Sequence, residues 1–150
     1  MGAAPSDDLR AGLAAALHAM LSPFAGTRGF VHRDYFPANL MRLDRRAGAR
    51  RTGLLDFQDA GLGHPAYDLV SLIEDARRDV APEARDAALA RYFAARPGVA
   101  RDDFTAAMAA CAAQRHLRVA ALWVRLAQRD HKPRYLIHGP RCWRLLQQAL

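Results

Sequence analysis

Lysine is all but missing from this chain. Lys132 is the only one in 150 residues, and arginine carries almost all of the +7 net charge. The arginines are spread through every helical pattern and mixed with Asp and Glu, as on solvated helix faces. No nucleic-acid-binding motif accompanies them, so no nucleic-acid partner is expected. Cysteine is scarce too. Cys111 and Cys142 are the only two, both inside helical patterns, and read as free thiols of a reducing compartment. No apolar run approaches the roughly 20 residues that cross a membrane. Residues 1–8 lack a basic segment leading into an apolar one, so neither a leader nor a membrane partner is expected. The expected location is the cytoplasm. The length, with 51% hydrophobic and 25% charged residues, suits one domain spanning 1–150 around a single core.

What is present is organised around residues 30–41. Phe30 and Val31 lead in, His32-Arg33-Asp34 follows, and Asn39 opens a short apolar run after four intervening residues. A second apolar run ends in an acid, Leu54-Leu55-Asp56-Phe57. Together they spell H-x-D-x-x-x-x-N and then a strand-borne D-F, the way a phosphotransfer loop and its metal-binding aspartate are written. Phosphoryl transfer needs a carboxylate to orient the attacking hydroxyl and accept its proton, and Asp34 is the residue for it. A loop aspartate can also simply bond its own backbone. The spacing to Asn39 and the later Asp-Phe favour the catalytic reading.

The surrounding pattern is mostly helical. Ser6 with Asp7 and Asp8 starts a helix, and Leu9, Leu13, Leu17 and Met20 or Leu21 give it one apolar face to bury. Ser22-Pro23 ends it. Residues 39–43 and 52–57 read as the two strands of a hairpin around an arginine-rich polar turn. Antiparallel pairing then makes Asn39 and Asp56 neighbours at one end, where each offers an oxygen to the same Mg²⁺. The arginines of the turn fall at the other end, as a solvated tip. Residues 58–65 read as a glycine-bearing loop and residues 65–78 as a helix. Pro82 opens another helix that Pro97-Gly98 stops. Asp102 or Asp103 caps a long helix to about Asp130, with Phe104, Met108, Cys111, Arg115, Val119, Leu122 and Leu126 on its buried stripe. Residues 131–139 form a loop, and Pro140 opens a last helix carrying Trp143, Leu146 and Leu150. The fold class is mostly α (α+β), helices around a catalytic loop and a two-stranded hairpin.

His32-Arg33-Asp34, Asn39-Leu40-Met41, Leu54-Leu55-Asp56-Phe57-Gln58-Asp59 and Tyr67-Asp68-Leu69 resemble the aminoglycoside phosphotransferase family of protein-kinase-like enzymes. Asp56-Phe57-Gln58-Asp59-Ala60, Tyr67-Asp68-Leu69-Val70-Ser71-Leu72 and Gln114-Arg115-His116-Leu117-Arg118-Val119 look most like its anomeric N-acetylmuramate/N-acetylglucosamine kinases of cell-wall recycling. The resemblance runs from Phe30 to the C-terminus. It implies the C-terminal lobe of the fold, with ATP and Mg²⁺ as cofactors and a small-molecule amino sugar as substrate. It implies that His32 packs under the loop and that Asp68 reaches back to the loop amides, although Asp68 also suits helix capping. Asp59 is open between metal or substrate contact and a loop cap. Arg115 and His116 are candidate substrate groups. For Arg115, on an apolar stripe, a buried ion pair is the preferred reading.

The family's nucleotide-cradling N-terminal lobe and its phosphate-gripping lysine have no counterpart before Phe30, since Lys132 follows the loop. A separate N-terminal lobe is therefore an expected partner. Only ten residues separate Asp56 from Tyr67, with no activation segment ending in Ala-Pro-Glu, so the acceptor is a small molecule rather than a protein. The second class of function is a non-catalytic kinase-like lobe serving as a binding or interaction module.

Overall fold

The computed structural model describes residues 4–150. Residues 1–3, part of the stretch read as lacking a leader, lie outside the described residues. Five helices and four short strands follow in the order α1 (Asp7–Leu21), β1 (Gly29–Val31), β2 (Leu40–Arg42), β3 (Thr52–Leu54), β4 (Gly61–Gly63), α2 (Ala66–Ile73), α3 (Pro82–Ala95), α4 (Arg101–Gln128) and α5 (Gly139–Ala149). The chain is mostly helical. No described helix is long and apolar enough to cross a membrane.

Helix α4 is the axis. It runs for 28 residues without Gly or Pro, and the helix-favouring residues of that stretch sustain the length. Its alanines do a second job. Ala107, Ala112 and Ala120 are buried, and small side chains let neighbouring helices come close. Over its first half, Phe104, Met108 and Cys111 pack against Leu69, Val70 and Ile73 of α2. Tyr92 of α3 stacks on Phe104 with centroids 4.7 Å apart. Over its second half, Val119, Ala120 and Trp123 pack with Ala76 and with Cys142 of α5. The Trp123 indole N–H donates to Cys142 Sγ (3.2 Å), and the ring stacks on Tyr135 at 5.3 Å. Both cysteines are free and buried, and burial pushes the Cys111 thiol up to about 11.

The strands form two separate ribbons. In the expected hairpin, β2 pairs with β3 antiparallel, Leu40 opposite Leu54. The Leu55 N–H continues it by donating to Asn39 O (2.9 Å). The strands are shorter than read: Asn39 closes a 3₁₀ turn (Pro37–Asn39), and Asp56 lies past the strand at φ +58°. The second ribbon pairs β1 with β4, Gly29 opposite Gly63. It corrects the reading of residues 58–65 as plain loop. The arginine-rich tip is solvated as expected, with Arg42 and Arg51 ringing the exposed Asp44.

Other differences have local causes. Ser6 caps α1, its hydroxyl accepting from the Leu9 N–H (3.3 Å), but none of the described residues of α1 is buried. Leu9 and Leu13 are exposed and Leu17, Met20 and Leu21 only part-buried, so the stripe read as a buried face is covered only towards the helix end, where α1 meets α4. Helix α2 stops at Ile73, short of Arg78. Asp75 turns the chain there, its carboxylate accepting from the Arg77 N–H and the Arg78 side chain. Helix α4 starts at Arg101, with Asp102 and Asp103 in its first turn rather than capping it. Leu122 and Leu126 are only part-buried, while Trp123 is at the centre of that contact. Trp143 and Leu150 of the last stretch are exposed.

Candidate active site

The loop between β1 and β2 is tied down from beneath. Asp68, in the first turn of α2, accepts from the backbone N–H of His32 (2.6 Å) and of Arg33 (3.0 Å). Helix α2 itself has no side-chain cap, so this carboxylate serves the loop rather than its own helix. Burial raises its pKa above the ordinary carboxylate range, outweighing the two amides that favour the ion. His32 is buried. Its Nε2 lies 2.9 Å from Leu55 O. A carbonyl only accepts, so Nε2 carries the proton and ties the loop to the β2–β3 ribbon. Aromatic contacts add a further tie: the Arg77 guanidinium lies 4.4 Å over the Phe36 ring and 5.2 Å from Trp123.

These ties hold a backbone that would not adopt this shape unaided. Arg33 sits at φ +72° and Asp56 at φ +58°, both in the left-handed region and neither a glycine. Such conformations cost on the order of 1–3 kcal/mol each and persist only where the surroundings enforce them. They immediately precede Asp34 and coincide with Asp56. The Arg33 side chain turns onto β4, where a Cβ on Gly61 would come within 3.3 Å of its Nη2. Glycine at that position is what permits the approach.

Asp34 follows, half-exposed, its Oδ1 3.2 Å from Arg118 Nη2 of α4. The Asn39 amide nitrogen donates to Asp34 O (3.0 Å). The amide oxygen is then the atom left for a cation. Asp56 takes a hydrogen bond from Gln58 Nε2. The ribbon register thus brings Asp34, Asn39 and Asp56 to one end of the molecule's polar half. No group of three or more His, Cys, Asp and Glu suited to a metal occurs among the described residues. An amide and a carboxylate oxygen still fit Mg²⁺, which binds through one or two carboxylates and takes the rest from water and phosphate.

The remaining candidates separate. Asp59 is exposed and takes no part in these contacts. Arg115 is buried, but it is not in an ion pair: no carboxylate among the described residues lies within 4.0 Å of it. Its Nε donates to Ser71 Oγ (2.5 Å) and its Nη1 has no partner. Burial lowers its pKa. The preferred reading failed because helix periodicity finds a buried face but not what stands opposite. His116 is buried, with Nε2 donating to Glu74 (2.9 Å), away from the loop. Sequence reasoning missed Arg118, which touches Asp34 directly. Its one available signal was its place a turn beyond Arg115.

A cavity of about 630 Å³ opens between the α1–β1 connection, β4 and α4; Asp34 itself does not line it, but its neighbour Arg33 and its partner Arg118 do. Tyr67, Cys111, Gln114 and Arg118 line one side, and Arg28 and Arg33 the other. A second cavity, of about 610 Å³ between α3 and α5, shares none of these lining residues, and neither cavity is lined by Asp34, Asn39, Asp56 or Asp68.

The structure thus holds a half-exposed aspartate on an enforced loop, with Asn39 and Asp56 on the neighbouring ribbon and a cavity on the far side of Arg118 and Arg33. The family model for the phosphotransferase enzyme family, APH, matches residues 3–104, and the chain belongs to that family. Within it, the chain is 51% identical over 114 residues to an N-acetylmuramate/N-acetylglucosamine kinase of Caulobacter vibrioides, covering 76% of this chain and 31% of that protein. Enzymes of the same name from Pseudomonas aeruginosa and Neisseria meningitidis are 42% and 39% identical, over 82% and 80% of this chain and 37% and 36% of theirs. The chain thus spans about a third of the length of the curated relatives it matches.

Proposed function

We propose that these residues form the catalytic and acceptor-binding part of an ATP- and Mg²⁺-dependent kinase that phosphorylates a hydroxyl of an amino sugar, N-acetylmuramate or N-acetylglucosamine. One observation carries the reading: Asp68 enforces the backbone of the loop that carries Asp34, and Asp34 is paired with Arg118, which together with Arg33 lines a cavity of about 630 Å³. In that reading the sugar occupies the cavity and its hydroxyl meets the Asp34 carboxylate, which orients it and takes its proton. Arg118 holds the carboxylate in place. Asp68 and His32 hold the loop. Asn39 and Asp56 would hold Mg²⁺, which when bound neutralises phosphate charge. The names of the relatives support the substrate class.

Nucleotide-gripping groups are assigned to a separate N-terminal lobe. Positioning both reactants accounts for roughly 7 to 11 kcal/mol of barrier lowering, and one lobe does not hold both. The test is a phosphotransfer assay on N-acetylmuramate and N-acetylglucosamine, with the 150 residues alone and joined to the preceding two-thirds of a relative. The chain alone should show little turnover and the joined enzyme clear turnover. Asp34→Asn should cut the latter by about 10²- to 10⁴-fold and leave the melting temperature in place. Strong Asp34-dependent turnover by the chain alone would refute the two-lobe assignment. A joined enzyme indifferent to Asp34→Asn would refute the base.

A further inference from the structure

The cavity that Arg118 lines has a one-sided charge balance. Three arginines line it, Arg28, Arg33 and Arg118, and no aspartate or glutamate does. Arg118 is matched by Asp34. Arg28 and Arg33 are not matched: among the described residues neither has a carboxylate within 4.0 Å. Arg28 spends its Nε on Ala25 O (3.2 Å), which fixes the stem and leaves the terminal nitrogens to the cavity. Arg33 lies along Gly61 with its backbone held by Asp68. Arg28 is thus tethered to its own turn and Arg33 lies along β4, both with donors free for a ligand, and a guanidinium fork suits a carboxylate.

The two sugars in the relatives' names differ in this respect. N-acetylmuramate bears a carboxylate on a lactyl ether where N-acetylglucosamine has a free hydroxyl. Resting on the sugar-kinase reading above, we propose that Arg28 and Arg33 bind the acidic substituent of the acceptor, so that this cavity prefers a sugar acid over its neutral counterpart. Selectivity then lives on the α1–β1 connection and at the second loop residue, away from the α4 helix that carries Arg118. Gln114 and Tyr67 are left to contact the ring common to both sugars.

The test is titration calorimetry on the 150-residue chain with N-acetylmuramate, N-acetylglucosamine and inorganic phosphate, without nucleotide. N-acetylmuramate should bind about tenfold more tightly than N-acetylglucosamine, the worth of one charge-assisted hydrogen bond. In R28Q/R33Q the ratio of the two affinities should fall to within about twofold, and R28K/R33K should restore part of it. Both side chains are exposed, and matching circular dichroism and melting curves will show the variants folded. Equal affinities in the unaltered chain would overturn the proposal, as would a ratio that survives R28Q/R33Q. Phosphate binding as tightly as N-acetylmuramate would assign the pair to a phosphoryl group instead and overturn it too. Each of these outcomes leaves the sugar site standing. Binding of neither sugar would sink the sugar-kinase reading itself.

Discussion

Between Gly29 and Gly63 the chain carries all four strands and Asp34, Asn39 and Asp56, yet Val31 and His32 are its only buried residues. By contrast α2 alone buries five residues and α4 twelve. The two regions are held by different physics. The helical half is held by apolar area removed from water, which is non-directional and insensitive to small shifts. The ribbon half is held by a few directional ties: Asp68 to two amides, His32 to Leu55, Arg118 to Asp34, and Arg77 over Phe36. Directional ties position atoms well and stabilise little. That suits a site whose polar groups must stay open to substrate while their geometry stays fixed.

Removing a pillar of the helical half should give the largest effect. Trp123→Ala deletes the centre of the α4–α5 contact and should lower stability by about 3–5 kcal/mol in urea unfolding. A loss under 1 kcal/mol would mean that the helical half is not the stabilising one. Cutting a tie should come next. Asp68→Ala leaves the amides of His32 and Arg33 without their acceptor, for a cost of about 1–3 kcal/mol. Hydrogen exchange should quicken at those two amides while α4 stays protected. Slower or unchanged exchange there would show that the loop keeps its shape without Asp68. Arg115→Met should have the smallest effect. The guanidinium is buried without an acid, so an apolar side chain of similar length should leave stability within about 1 kcal/mol of the starting value, or raise it. A larger loss would reveal a partner for Arg115 in solution.

Much of this division was legible in the residues. The His-x-Asp-x₄-Asn spacing and the Asp-Phe run found the loop, and the β2–β3 hairpin followed from two apolar runs around a polar turn. The Ser6 cap, the Pro82 start and the length of α4 are local signals, and each was readable. The β1–β4 ribbon was not. Gly61-Leu62-Gly63 has the composition of a turn, and its partner lies about thirty residues upstream, so only the tertiary structure makes it a strand. The end of α2 was missed because Asp75 offers the backbone a competing set of hydrogen bonds inside an otherwise helical pattern. Trp123, next to the Leu122 placed on the stripe, was not singled out at all; Arg115 was misjudged because periodicity says which face is buried, not what covers it. The same holds for Leu9 and Leu13, a good amphipathic stripe that stands exposed.

Trp123 also decides what an optical experiment on this protein can see. It is buried against a sulfur and a tyrosine ring, while Trp143 is exposed; these are the two tryptophans of the chain, and both lie in the helical half. Native emission will therefore mix a blue-shifted, sulfur-quenched component with a water-like one. Unfolding will brighten and redden the first and barely change the second. No indole lies within residues 29–63, and the link from Trp123 to them runs through the Arg77 guanidinium over Phe36. A fluorescence melt will follow the scaffold and sense the loop that carries Asp34 only through Arg77, so a preparation can look close to native by its glow with much of that loop already undone.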